Sequence, residues 1–198
     1  ATDPTAELCR IMLADSGRIQ EEDANWKIKR LKKEGKDASW VTPLYTEEDA
    51  LETMEQIRSV DFRREIPLDG IGSVSDHMAG HILGAGIVEL RIGEGSGVRK
   101  ILYSGDLGAD GARLMGSPET VLQPDYLIME STYGDRERTE NEDLTEDLFH
   151  VIHKTVQRGG KVIIPSFAVG RTQELLARLN DLVEKGRLPG VPVYVDSP

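Results

Sequence analysis

Residues 100–108 read KILYSGDLG: a β-type run, Lys100–Tyr103, that delivers Asp106 into a turn between Gly105 and Gly108. A strand followed by a glycine-flanked carboxylate presents a polar group at the edge of a sheet. Such an aspartate commonly bonds its own backbone; the other reading is a carboxylate that a metal can collect. The same form recurs on both sides. Upstream, residues 75–86, SDHMAGHILGAG, set His77 and His81 among Gly80, Gly84 and Gly86. Downstream, residues 124–136, PDYLIMESTYGDR, drive an apolar run straight into Glu130, Ser131 and Thr132.

An isolated histidine in a turn is more often packed than ligating, but glycines at 80, 84 and 86 allow the close backbone approach that a loop passing a metal requires. The spacing of His77 and His81 could place both on one helical face, as in zinc-binding helices. Gly80 and Gly84 argue against a regular helix, so His81 is the candidate ligand and His77 a weaker second. A carboxylate ending a buried run must be hydrogen-bonded, paired or metal-bound. Three strand-end groups, His81, Asp106 and Glu130, at intervals of about 25 residues favour one shared site over three separate turns.

Further β-type runs occur at Asp61–Pro67, Ile87–Ile92 and Tyr126–Met129, with glycine-rich turns that include Gly93-Glu94-Gly95. Residues 1–56 read as helical. Pro4-Thr5 precede Ala6–Leu13, IQEEDANWKIKRLKKEGK has an acidic first turn and a basic last turn, and Gly35 ends it. Thr46 and Asp49 resemble a capping box before Ala50, Leu51, Met54 and Ile57 at helical spacing. From Thr139 the pattern becomes helix to Gln157, apolar run Lys161–Ile164, helix Val169–Lys185, apolar run Val191–Val195, an order suited to a parallel sheet. A boundary falls near Gly134.

At 198 residues the chain holds one ordinary domain or two small ones. No apolar run approaches the ~20 residues of a membrane helix, and no signal segment opens the chain. The only cysteine, Cys9, excludes an internal disulfide and a thiolate zinc cage, which points to a reducing cytoplasm. A net charge of −11 opposes broad electrostatic binding of nucleic acid, although metal-binding carboxylates can coexist with a local basic groove.

Taken in order, AGHILGAG, YSGDLG, ESTYGDR, IIPSFAVGRTQELL and VYVDSP resemble successive landmarks of the beta-CASP branch of the metallo-β-lactamase superfamily, a group of RNA-processing nucleases. LCRIMLADSGRIQEEDANW and TPLYTEEDALETM are similar to the stretch before the third metal motif there. The resemblance implies an α/β fold: a partial metallo-β-lactamase αβ/βα sandwich over residues 1–134, then the start of a beta-CASP domain with a parallel sheet over 135–198. It implies zinc-dependent phosphodiester hydrolysis of single-stranded RNA, endonucleolytic or 5′ exonucleolytic, by two zinc ions in the parent protein. His81 matches a zinc-binding histidine and Asp106 the aspartate that bridges the two ions. Asp106 and Glu130 are the catalytic candidates, Glu130 acting through a histidine on the leaving group. No membrane association is expected, and a homodimer of the parent is allowed. The His-x-His-x-Asp-His motif is not in this chain, nor are the later histidine motifs. The chain is therefore expected to be an internal fragment that alone neither holds two metals nor cleaves RNA. Ala85 stands where many relatives carry serine. The rivals are a non-catalytic scaffold of an RNA-processing complex, a small-molecule hydrolase of the wider superfamily, and a DNA-directed relative.

Other stretches carry weaker readings. Gly170-Arg171 at a helix start could meet a phosphate, but no P-loop Lys-Ser/Thr follows. His150 and His153 lie on a helix where packing or solvation is the common outcome. The KIKRLKK run, Lys27–Lys33, reads as a solvated helix face, or as an RNA contact if it is turned toward a cleft.

Overall fold

The computed structural model describes residues 1–93, 95–110, 112–135, 144–188 and 190–196. The two helical stretches at the N-terminal end are one helix, α1 (Asp3–Lys33), with Pro4 in its first turn and Arg30, Lys32 and Lys33 in its last. Gly35 follows with φ +68°, a left-handed conformation that glycine adopts without strain. The helix α2 (Glu47–Gln56) is capped reciprocally, as the sequence anticipates: Thr46 Oγ1 accepts from the Asp49 amide at 3.1 Å, and Asp49 Oδ2 accepts from the Thr46 amide at 2.8 Å. The cap sits directly on α1 because Gly17 has no side chain. A Cβ there would lie 2.7 Å from the Thr46 carbonyl oxygen.

The described strands, β1 (Ile66–Leu68), β2 (Gly72–Met78), β3 (Gly86–Ile92), β4 (Arg99–Tyr103) and β5 (Tyr126–Ile128), form a sheet in sequence order. The first three pairings are antiparallel and β4 with β5 is parallel, Ile101 opposite Tyr126. Ala79, Ile87 and Leu102 make its core, with Ala85, Leu107 and Val121 against them. The chain is thus α/β, with a mixed sheet.

One strand reading needs correction, and one strand was not anticipated. The run Asp61–Pro67 shortens to a strand that starts at Ile66, because Arg63 takes φ +63° and its amide donates to the Asp76 carbonyl, which turns the chain instead of extending it. The serine- and glycine-rich stretch before His77 is β2, so His77 lies on a strand and the shared helical face with His81 does not exist.

Beyond residue 143, α3 (Leu144–Gln157) and α4 (Arg171–Glu184) appear as anticipated and enclose Ile152, Leu179, Leu182 and Leu188. The expected start of the first of these helices, residues 139–143, lies outside the described residues, as do Arg136 of ESTYGDR, Glu94, and the Ser197-Pro198 end of VYVDSP. The runs 161–164 and 191–195 are not strands of any sheet among the described residues. Each leans one valine, Val162 or Val191, on the helix pair, while Ile163 and Tyr194 face outward. A strand is completed by a hydrogen-bonding neighbour, and neither run has one here.

Candidate functional site

Three turns meet at one end of the sheet. The first follows β2 and carries His81. Its glycine, Gly80, has φ +68° and packs against the Gly116 carbonyl, leaving no room for a side chain. The second follows β4 and carries Asp106. The Gly108 amide donates to the Ala79 carbonyl at 2.8 Å, and a Cβ on Gly108 would overlap the Gly80 carbonyl oxygen. The Asp106 turn is therefore clamped onto the His81 turn by glycine-to-glycine backbone contact. The third follows β5, where the Glu130 amide donates to Ser104 Oγ at 3.1 Å and Glu130 Oε1 accepts from the Leu107 amide at 2.6 Å.

Glu130 is thus tied to the residue next to Asp106. Its carboxyl titrates below the usual range because the Leu107 amide and the Thr132 hydroxyl bond it, with a further contribution from the charge of His81. The Gly108–Ala79 and Leu107–Glu130 bonds place His81, Asp106 and Glu130 on adjoining turns. His81 and Asp106 are both solvent-exposed, and neither has a hydrogen-bond or ion-pair partner among the described residues. An imidazole nitrogen and a carboxylate oxygen suit zinc. Among the described residues no group of three or more His, Cys, Asp or Glu could hold a metal ion, and two donors fall short of the three that a catalytic zinc site takes from protein.

The buried setting expected for Glu130 is not what the structure has. Tyr126, Leu127 and Ile128 of the strand leading to it are all more than half exposed, because among the described residues β5 has a neighbour on one side only. The carboxylate is held by hydrogen bonds, not by burial. His77 is turned away from a ligand role: its Nε2 lies 3.0 Å from Glu89 Oε2 and its Nδ1 3.4 Å from Glu119 Oε2. Glu89 also accepts from Arg91 Nε at 2.7 Å, and Glu119 pairs with Arg63. The Glu119 amide donates to the Met78 carbonyl at 2.8 Å, so this network fixes the loop lying beneath Gly80.

Gly170, ahead of α4, adds a fourth wall. It has φ +82°, and a Cβ there would lie 2.8 Å from Ile82 Cγ2, next to His81. Arg113 pairs with Asp181 across the same junction. His150 and His153 lie on α3, where His150 pairs with Glu146 at 3.2 Å and His153 bonds Gln157, so they stand in local helix-surface contacts. Sequence reading missed Ser104 and Glu119. Ser104 was visible only as the residue before Gly105 in YSGDLG, and nothing local marks Glu119.

No protein-family model matches the chain. It is 36% identical to the RNase J-like protein of Methanocaldococcus jannaschii over 81% of its own length and 38% of that protein. It is 38% identical to cleavage and polyadenylation specificity factor 73 of Drosophila melanogaster over 78% of this chain and 22% of that one. With the ribonuclease TTHA0252 of Thermus thermophilus the identity is 31% over the whole of this chain and 40% of the relative. The chain thus spans well under half the length of these curated relatives. By its sequence likeness to these proteins over most of its length, the chain belongs to the beta-CASP branch of the metallo-β-lactamase superfamily.

Proposed function

We propose that the protein carrying this chain cleaves RNA by zinc-dependent phosphodiester hydrolysis, endonucleolytically or from the 5′ end, and that the His81, Asp106 and Glu130 turns form part of its active site. The observation that carries the reading is the bond from the Leu107 amide to Glu130 together with the Gly108–Ala79 bond, which hold three chemistry-bearing turns on one sheet end. The names of the relatives, among them a ribonuclease and an RNase J-like protein, support RNA as substrate. His81 and Asp106 would supply two donors to the zinc, the rest coming from residues outside this stretch. Bound there, zinc supplies positive charge for phosphoryl oxygens and a water of lowered pKa. Glu130, held ionised, keeps the Asp106 turn in place and polarises the imidazole that gives a proton to the departing oxygen.

We assign residues 1–134 to the metallo-β-lactamase part and 135–198 to the beta-CASP part. The core clusters respect that division, Ile152, Leu179, Leu182 and Leu188 lying wholly in the second. No helix among the described residues is long and apolar enough to cross a membrane. A cytoplasmic location and a homodimer are part of the same proposal.

The test is the full-length gene product, assayed for zinc by mass spectrometry and for cleavage of labelled single-stranded RNA and DNA. Two zinc ions per chain and RNA cleavage are expected, with Asp106→Ala abolishing both. Glu130→Gln should retain zinc and slow cleavage by roughly 10²–10⁴-fold. A full-length protein that is zinc-free and inert is a scaffold, and one that cuts DNA in preference is a DNA-directed relative.

A further inference from the structure

We propose that the last two turns of α1 and the loop after it form a second single-stranded RNA contact, remote from the His81 turn. Both tryptophans of the chain are here, Trp26 61% and Trp40 60% exposed. Each has a cation over its ring: the Arg30 guanidinium carbon is 4.9 Å from the Trp26 centroid, and Lys27 Nζ is 4.4 Å from that of Trp40. In a chain of net charge −11, the stretch 27–36 holds Lys27, Lys29, Arg30, Lys32, Lys33 and Lys36 against Glu34 alone. Lys29, Lys32 and Lys33 have no ion-pair partner among the described residues. Trp26, Lys29, Arg30 and Lys33 are linked by three- and four-residue spacings and share one face opposite the buried Ala24 and Leu31, while Lys27 and Trp40 lie on the adjoining flank, next to Arg30 on one side and Ala24 on the other. Beside Trp40, a cleft of about 220 Å³ opens between Gln20, Asp23, Lys27, Val41 and Pro43, with Asp23 its one carboxylate and Lys27 its one cation.

The helix dipole accounts for cations in the last turn, but not for Lys27 and Lys29 before it or for two exposed indoles. An acidic polypeptide would use the cations and leave the rings idle. Stacking of bases on aromatic rings beside phosphate-binding cations uses both, and tolerates any sequence.

The placement sets a length scale. Thr5 Oγ1 donates to the Gly84 carbonyl at 3.0 Å, three residues past His81. Lys27 lies 22 residues further along a continuous helix, roughly 33 Å at 1.5 Å per residue. At 3.4 Å per stacked nucleotide that is about ten nucleotides. If the proposed active site holds, which this last step rests on, strands longer than about ten nucleotides engage both surfaces and shorter ones do not.

Because both tryptophans lie in the patch, intrinsic fluorescence of this 198-residue chain reports it directly. Titration with a mixed-sequence single-stranded RNA of about 20 nucleotides should quench it saturably, with affinity falling steeply as salt rises. Lys29→Glu with Lys33→Glu, which keeps both indoles, should weaken binding about tenfold or more, with circular dichroism unchanged because both side chains are exposed. Inorganic polyphosphate and poly-glutamate should leave the indoles unquenched. Absent quenching by RNA at low salt, or equal quenching by either base-free polyanion, overturns the proposal. The two readings fail separately: quenching of this chain beside a full-length protein that cuts nothing loses the active site and keeps the patch, and cleavage of RNA by the full-length protein without quenching of this chain does the reverse.

Discussion

The strands β3 and β5 belong to one sheet and are both apolar in sequence, yet they stand in opposite surroundings. β3 is paired along both edges, to β2 and β4, and buries Ile87 and Glu89. Among the described residues β5 is paired to β4 alone, through three residues, and all three are exposed. The same contrast holds between Leu182, 1% exposed between α3 and α4, and Ile163, 89% exposed in an unpaired run nearby. Apolar composition states that a segment benefits from cover; whether cover arrives depends on a neighbour elsewhere in the chain. Exposed apolar groups in such number mark surfaces that favour association.

The sharpest way to break this comparison is a matched pair of truncations. Ile87→Ala should lose about 2–4 kcal/mol by urea unfolding, since it empties a site between Ala79 and Leu102, whereas Ile128→Ala should stay within about 0.5 kcal/mol. Equal losses would mean that β5 is covered in solution. Next in size is the glycine clamp. Gly108→Ala should cost about 1–3 kcal/mol, because its methyl group cannot coexist with the Gly80 carbonyl. Gly95→Ala, with open space around it though a positive φ, should cost less in the same assay.

The polar side of β3 supplies the third test. Burial pushes the Glu89 carboxyl up, but the Arg91 hydrogen bond, the charges of Lys100 and Arg91 and the His77 bond outweigh it and leave it below its usual range. Glu119 is likewise lowered, the Arg63 bond overcoming its burial. A carboxyl with a depressed folded-state pKa contributes stability that is fully present above its unfolded value, near about 4.3, and is lost as pH falls through the folded value. Stability should therefore fall on acidification below about pH 4.3. Glu89→Gln should flatten that fall and lower stability at neutral pH by about 1–2 kcal/mol. An unchanged acid limb would sink the account of the His77 network. The smallest effect is expected at the α2 cap, where Thr46→Ala should cost about 1 kcal/mol in the same unfolding assay.

Much of this was legible in local sequence. The Thr46–Asp49 cap, the end of α1 at Gly35, the cores of β3 and β4, and the helix α4 all follow from periodicity and end signals within a few residues. The Asp106 and Glu130 turns were legible for the same reason. β2 was not, because GSVSDHM offers little apolar alternation and its identity comes from pairing with β3. Nor was the turn at Arg63, which depends on a bond to Asp76. The patch at the end of α1 was half legible: its cations stand in one run, but Trp40 joins them only when the loop folds back over Lys27.

By itself the sequence determined where the chain is helical, where its glycine-marked turns fall, and which of those carry an imidazole or a carboxylate, since these depend on neighbours a few residues away. Only the tertiary structure decided that the Asp106 and Glu130 turns adjoin, through parallel pairing of Ile101 with Tyr126. It alone decided that His77 is spent between two carboxylates, and that β5 stays open while β3 is closed. Contacts of that kind join residues far apart in the chain, and no local pattern records which distant partner will occupy them.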